Sequence, residues 1–208
     1  LAAITSARFF FYILDRFSRL GCTIGMSGHS KWSQIKRQKG VTDKKRGQLF
    51  AKLGSAITVA AKSEPNPQFN PRLRSAVEKA REFQMPNDNI ERAIKKASDK
   101  NLNVEELTFE SYGPGGSALF IEAITDSRNR TVAEVKKILH DHEGKWAESG
   151  SVRWAFDQVV GEGGERSWKA KFPQILSEKD HRKLEKLIEA LDEHDDVQDI
   201  FTNTPETE

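Results

Sequence analysis

Apolar residues recur at helical spacing three times in the first half of the chain. Leu49, Phe50, Leu53, Ile57 and Ala60 form one stripe, running from Asp43 to about Ala61. Glu64-Pro-Asn-Pro breaks it. Asn70 before Pro71 predicts an N-cap with proline at the first helical position, and Leu73, Val77 and Ala80 share one face of the helix that follows. Met85-Pro86 ends that helix, because a residue before proline is pushed out of the helical region. Asp88 and Glu91 have the spacing of a capping box ahead of Ile90, Ala93, Ile94 and Ala97. Lys95 and Lys96 stand in the last turn, where cations suit the helix dipole. Before these helices, residues 26–42 are small, polar and basic with no apolar stripe, and read as an extended arm.

Near Asn101 the period changes. Residues 107–112 and 118–124 predict two strands joined by Gly113-Pro114-Gly115-Gly116. The second strand is apolar on both faces, as a central strand is. Thr131 with Glu134 predicts another capping box, opening a helix with the stripe Val132, Val135, Ile138 and Leu139. Ser151–Asp157 reads as a third strand and Ser167–Phe172 as a short fourth. Ser177 and Asp180 cap a helix carrying Leu184, Leu187, Ile188 and Leu191, and Val197–Thr202 predicts a last strand. The expectation is an α+β protein: an N-terminal three-helix module over 26–100, then an antiparallel-leaning ββαββαβ sandwich over 101–208 with both helices on one face.

Composition adds constraints. The 208 residues are 37% hydrophobic and 31% charged, enough to bury a core. No apolar run approaches the roughly 18 residues of a membrane span. The single cysteine, Cys22, excludes a disulfide scaffold and a zinc site built from thiolates. The net charge of +2 hides an asymmetry: residues 26–100 carry 17 basic and seven acidic residues, and residues 101–208 carry 13 basic and 23 acidic. The first methionine is Met26. Leu1–Gly25 holds Arg8, Arg16 and Arg19 against Asp15, with the apolar run Phe9–Leu14. It reads either as a mitochondrial presequence or as sequence upstream of a true start at Met26. The second is the expectation, which sets 1–25 outside the fold and the protein in the cytoplasm, with the mitochondrion as alternative.

Between Met26 and Glu64, nine basic residues face only Asp43 and Glu64. Such a patch neutralises phosphates and releases their counterions. Trp32 sits inside the cluster, where an indole can stack on an unpaired base. The expected nucleic-acid contacts are Lys31, Trp32, Lys36, Arg37, Lys39, Lys44, Lys45, Arg46 and Lys52, extended by Arg72 and Arg74. Arg128 and Arg130, in the segment Thr125–Thr131, are either a second contact or solvated arginines of a capping loop. The glycine loop lacks the Lys-Ser/Thr of a phosphate-binding loop and opens no helix, so it reads as a hairpin connection. His140 and His142 are two apart and share no helical face, so they make a poor metal pair. Asp195 and Asp196 read as a solvated turn. No nucleophile–base constellation is visible, so no enzyme, cofactor, metal or small-molecule substrate is expected.

Read in order, Gly28-His-Ser-Lys-Trp32, Ile35-Lys36, Asp43-Lys-Lys-Arg46, Phe50, Asn70-Pro-Arg-Leu-Arg74, Met85-Pro86, Asp88-Asn-Ile-Glu-Arg-Ala-Ile94, Tyr112-Gly-Pro-Gly-Gly116, Thr125-Asp-Ser-Arg-Asn-Arg-Thr131, Gly150-Ser-Val152 and Asp196-Val-Gln198 resemble the YebC family. The resemblance runs from Met26 to about Asn203. It implies an N-terminal helical domain with two α/β domains, a cytoplasmic or mitochondrial location and no catalytic activity. It implies one of two roles: DNA binding in transcriptional control, or ribosome association that helps translation through proline-rich stretches, as in the mitochondrial translational activator of cytochrome c oxidase. The partner is then DNA or ribosomal RNA, with no membrane involved, and a monomer is expected. Family members carry a further α/β domain between the strand ending near Phe156 and the segment matching Lys171–Gln174. Only about 14 residues intervene here, so that middle domain is expected to be missing near 158–171.

Overall fold

The computed structural model describes residues 43–99, 103–160 and 166–205. Among the described residues three helices come first: α1 (Asp43–Ala61), α2 (Pro71–Glu82) and α3 (Asn87–Lys96). Their stripes meet in one core, where Leu53, Ile57, Leu73, Val77, Ala80 and Ile90 are buried. Asn70 caps α2 as its position predicts: its side-chain oxygen accepts from the Leu73 N–H at 3.0 Å. Its amide also donates to the carbonyls of Ala60 and Glu64, both at 2.7 Å, which fastens the turn from α1 to α2. The start of α3 differs from expectation. Pro86 holds the N-cap position without a side-chain bond, so Asp88 lies inside the first turn and no capping box forms. Its charge still faces the positive end of the dipole.

The second part contains β1 (Glu105–Tyr112), β2 (Ala118–Thr125), α4 (Arg128–Asp141), β3 (Lys145–Ala147), β4 (Phe156–Val160), β5 (Arg166–Ala170), α5 (Glu178–Asp192) and β6 (Val197–Thr202). The fold is α+β, with helices first and a β-rich region after. A four-stranded antiparallel sheet has the order β3-β1-β2-β6, and β4 and β5 form a separate antiparallel hairpin. β2 lies inside the sheet and is buried at nearly every position, as its two apolar faces require. On one face, Val135 and Leu139 of α4 and Leu184, Leu187 and Leu191 of α5 pack on Leu107, Phe109, Leu119 and Ile121. On the other, Phe120 and Phe201 meet Phe156 and Trp168 of the hairpin. Each large apolar side chain buried this way contributes roughly 1.5–3 kcal/mol.

Three elements depart from the sequence pattern. Ser151–Asp157 is not a strand: Arg153–Ala155 form a 3-10 turn and β4 begins only at Phe156. The cause is Glu110 of β1, which is buried. Its carboxylate accepts the backbone N–H groups of Gly150 at 2.7 Å, Val152 at 2.6 Å and Arg153 at 2.9 Å, and so curls the segment. α4 starts three residues before Thr131, with Ser127 at its N-cap. β3 is too short to carry an alternating pattern. The glycine loop is a hairpin connection, as expected. Gly115 has φ +68°, and a Cβ there would meet Leu176 at 2.8 Å, so glycine is required on both counts.

Candidate nucleic-acid interface

The expected contacts Lys31, Trp32, Lys36, Arg37 and Lys39 lie outside the described residues, as does the side chain of Lys44. α1 continues directly from the arm, and Lys45 and Arg46 are exposed at its N-terminal end. Farther along α1 the direction reverses. Lys52 is 5% exposed, and its ammonium donates to the Asp192 carbonyl at 2.5 Å and lies 3.4 Å from the Asp192 carboxylate. Asp192 ends α5, which has no basic residue in its own last turn. Lys52 therefore supplies, from across the molecule, the cation that opposes the negative end of that helix. It is turned away from solvent, and the outward-facing set loses it.

Arg72 and Arg74 are also engaged. Arg72 forms an ion pair with Glu106 of β1. Arg74 donates to the carbonyls of Pro67 at 3.3 Å and Gln68 at 3.0 Å, bracing the loop before α2. Lys62 donates to the Val104 carbonyl at 2.6 Å. Lys62 and Arg72 thus tie the helices to the start of β1, and Lys52 ties α1 to the end of α5. A cleft of about 610 Å³ remains between the two parts, with Arg72 and Lys79 on the helical side and Glu106, Glu122 and Asp199 on the sheet side. Arg81, Lys95 and Lys96 are exposed on α2 and α3 and add positive charge that the sequence reading did not assign to binding.

The second candidate contact is built into a network. Arg128 lies 3.6 Å from Glu105. Arg130 donates to Asp196 at 2.9 Å and lies 3.0 Å from Asp126. Asp196 also accepts the Thr131 hydroxyl at 2.7 Å. Thr131, expected to cap a helix, is instead buried in the first turn of α4, with its hydroxyl 2.7 Å from that of Thr125. Asp196, expected in a solvated turn, joins α4 to the start of β6. Burial pushes its carboxyl up, but hydrogen bonds from Thr131, Arg130 and Thr125, with the charge of Arg130, outweigh burial and hold it below its ordinary value. The Arg130 guanidinium is held above its ordinary value, first by its hydrogen bond to Asp196.

Donor atoms of Glu134, His194 and Asp196 lie within 4.8 Å of one another. Each is already committed. His194 accepts the Asp196 N–H on Nδ1 at 3.1 Å, so Nε2 carries the proton and donates to Glu134 at 2.8 Å. Asp196 faces a guanidinium and a hydroxyl. The group is arranged as a hydrogen-bonded network rather than as a set of ligands for a cation. The sequence reading also missed three exposed aromatic rings, Tyr112, Trp154 and Phe172. All three fall in segments whose pattern reads as strand.

The TACO1/YebC protein N-terminal domain profile matches residues 30–100, and the TACO1/YebC second and third domain profile matches 104–161 and 162–204. The chain belongs to the TACO1/YebC family. Relatives named "Probable transcriptional regulatory protein" include one from Natranaerobius thermophilus, 53% identical over 136 residues, covering 64% of this chain and 54% of that one. Another, from Desulfosudis oleivorans, is 43% identical over 190 residues, covering 88% and 74%. A third, from Chlorobium luteolum, is 40% identical over 237 positions, covering 86% and 95%. In the first of these comparisons the chain spans about half the length of the curated relative. The crystal structure of a conserved hypothetical protein from Aquifex aeolicus is similar to it, with a TM-score of 0.74 and 34% identity, covering 86% of this chain and 98% of that one. The TACO1/YebC profiles span nearly the whole stretch from Met26 to Asn203 that carries the motif resemblance.

Proposed function

We propose that this TACO1/YebC chain is a non-enzymatic regulator that binds nucleic acid through its basic arm and the N-terminal end of α1. The observation that carries the reading is charge density: nine basic against two acidic residues between Met26 and Glu64. Lys45 and Arg46 extend that charge onto the exposed end of a helix, while Lys52 is spent on Asp192. The relatives' names support a transcriptional regulator; in this reading the chain acts on DNA, as a monomer in the cytoplasm. Among the described residues no helix is long and apolar enough to cross a membrane.

A second reading is a translation factor that binds ribosomal RNA. Two observations favour it. α1 exposes Lys45, Arg46 and Ala51 rather than a row of Arg, Asn and Gln, so it offers phosphate contacts without base-edge readout. Trp32 among lysines suits unpaired bases. The missing middle domain belongs to the same proposal. The second family profile divides between 161 and 162, and the Chlorobium luteolum alignment has more positions than this chain has residues. Both support a chain that lacks one α/β module and any role resting on it.

Crosslinking in cells followed by sequencing of the bound nucleic acid tests these readings. Promoter DNA supports the transcriptional one, and ribosomal RNA, with salt-sensitive co-sedimentation on ribosomes, supports the translational one. Recovery of neither refutes nucleic-acid binding.

A further inference from the structure

We propose that Tyr112, Trp154 and Phe172 form a stacking platform for unpaired bases, distinct from the basic surface of the helices. The three rings are 38%, 61% and 58% exposed. They are also fixed. The Tyr112 hydroxyl donates to the Ser151 carbonyl at 3.0 Å, and Trp154 Nε1 donates to the same oxygen at 2.8 Å. Trp154 and Phe172 meet with centroids 5.7 Å apart and planes tilted by 46°. The turn that carries Trp154 is itself held by the three N–H bonds to Glu110. With their polar atoms already satisfied, Tyr112 and Trp154 offer mainly π-faces and edges to a ligand. Rings held in advance lose little conformational entropy when something stacks on them.

The exposed cation beside the rings, Lys145, favours a nucleic acid as the occupant, while Lys171 and Arg153 are already engaged. Lys145 is exposed and lies opposite Tyr112 in the sheet. Lys171 adjoins Phe172 and lies 2.8 Å from Asp157. Arg153 adjoins Trp154, its guanidinium 3.8 Å from the centre of the Trp168 ring. Aromatic faces with cations beside them bind single strands with little sequence preference, because every base has a π-face and each is followed by a phosphate. The position suits a second contact on the same strand. The helices meet β1 at Glu106, and Tyr112 is six residues farther on, roughly 20 Å along the strand.

The inference rests on the nucleic-acid reading above, and its test separates the two. The full chain is titrated by fluorescence anisotropy with a labelled single-stranded oligouridine of about twelve nucleotides and with a duplex of similar length, within the usual site size. Trp154→Ala/Phe172→Ala should weaken single-strand binding about tenfold, the loss of one stacked base, and leave duplex binding within about twofold. Trp154→Phe keeps a ring and should keep most of the affinity. Both side chains are more than half exposed, so melting of the double variant should fall by only a few degrees. A double variant that binds single strand as well as the wild type, or loses both probes equally, overturns the platform alone. A wild type that binds neither probe overturns the platform and the nucleic-acid reading together. A wild-type dimer that the double variant abolishes, with single-strand affinity unchanged, would make the rings an interface between copies.

Discussion

Replacing Lys52 by methionine keeps most of the buried stem and removes the ammonium. That ammonium donates to the Asp192 carbonyl at 2.5 Å and lies 3.4 Å from its carboxylate, in a side chain 7% exposed. A hydrogen bond to a charged group contributes about 1.5–3 kcal/mol. A cation at a helix C-terminus contributes about 0.3–1 kcal/mol, and the two overlap because the acceptor is a terminal carbonyl. Methionine also avoids the cost of desolvating the charge, which offsets part of the loss. The net expectation is about 2 kcal/mol of destabilisation, a fall of roughly 4–8 °C in Tm for a chain of this size. Calorimetry at neutral pH measures it. Hydrogen exchange adds a signature: protection should fall in α1 while β2 and the sheet core keep theirs, because the lost bond joins two parts of the molecule. Nucleic-acid affinity should stay within about twofold, because the ammonium faces inward. A variant as stable as the wild type but several-fold weaker in binding would refute the reasoning, placing the Lys52 ammonium on phosphate.

Glu110→Ala strands three backbone N–H donors of the turn at Gly150–Arg153 and should cost about 3 kcal/mol or more in urea unfolding; a loss under about 1 kcal/mol would contradict the anchoring role. Asp196→Asn should destabilise at neutral pH. Because the folded carboxyl titrates below its ordinary value of 3.8, its contribution is present above that value and is lost as pH falls through the lowered one, so the gap to wild type should narrow below about pH 4. A gap that stays constant in acid would assign the effect to packing of the amide. Leu187→Ala, at a site with no exposure in the α4–α5 core, should cost about 2–5 kcal/mol in the same unfolding assay; a loss under about 1 kcal/mol would mean that the site collapses around the cavity.

What was legible in the sequence was local. The stripes of α1, α2 and α5 and the two apolar faces of β2 each state their own burial, and Asn70-Pro71 and Ser177 name helix starts that need no distant partner. What was not legible depends on partners far along the chain. Ser151–Asp157 alternates like a strand, yet it curls because Glu110, some forty residues away, takes its N–H groups. Thr131 and Glu134 have the spacing of a cap, but the Thr131 hydroxyl is held by Asp196. The same holds for the site. Charge density marked the arm and α1 as basic, but density carries no direction. Only the bond from Lys52 to Asp192 at the end of α5 shows that Lys52 points inward while Lys45 and Arg46 point out.

The role of the arm is tested most directly by titrating labelled nucleic acid at several salt concentrations, with the wild type and with Lys36, Arg37 and Lys39 replaced by alanine. Each lost phosphate contact removes counterion release. The variant should therefore bind about tenfold or more weakly at moderate salt, and the slope of log affinity against log salt should shrink by roughly two to three units. Unchanged affinity and slope in the variant, or wild-type binding that ignores salt, would contradict the proposal that this chain holds nucleic acid through its basic arm.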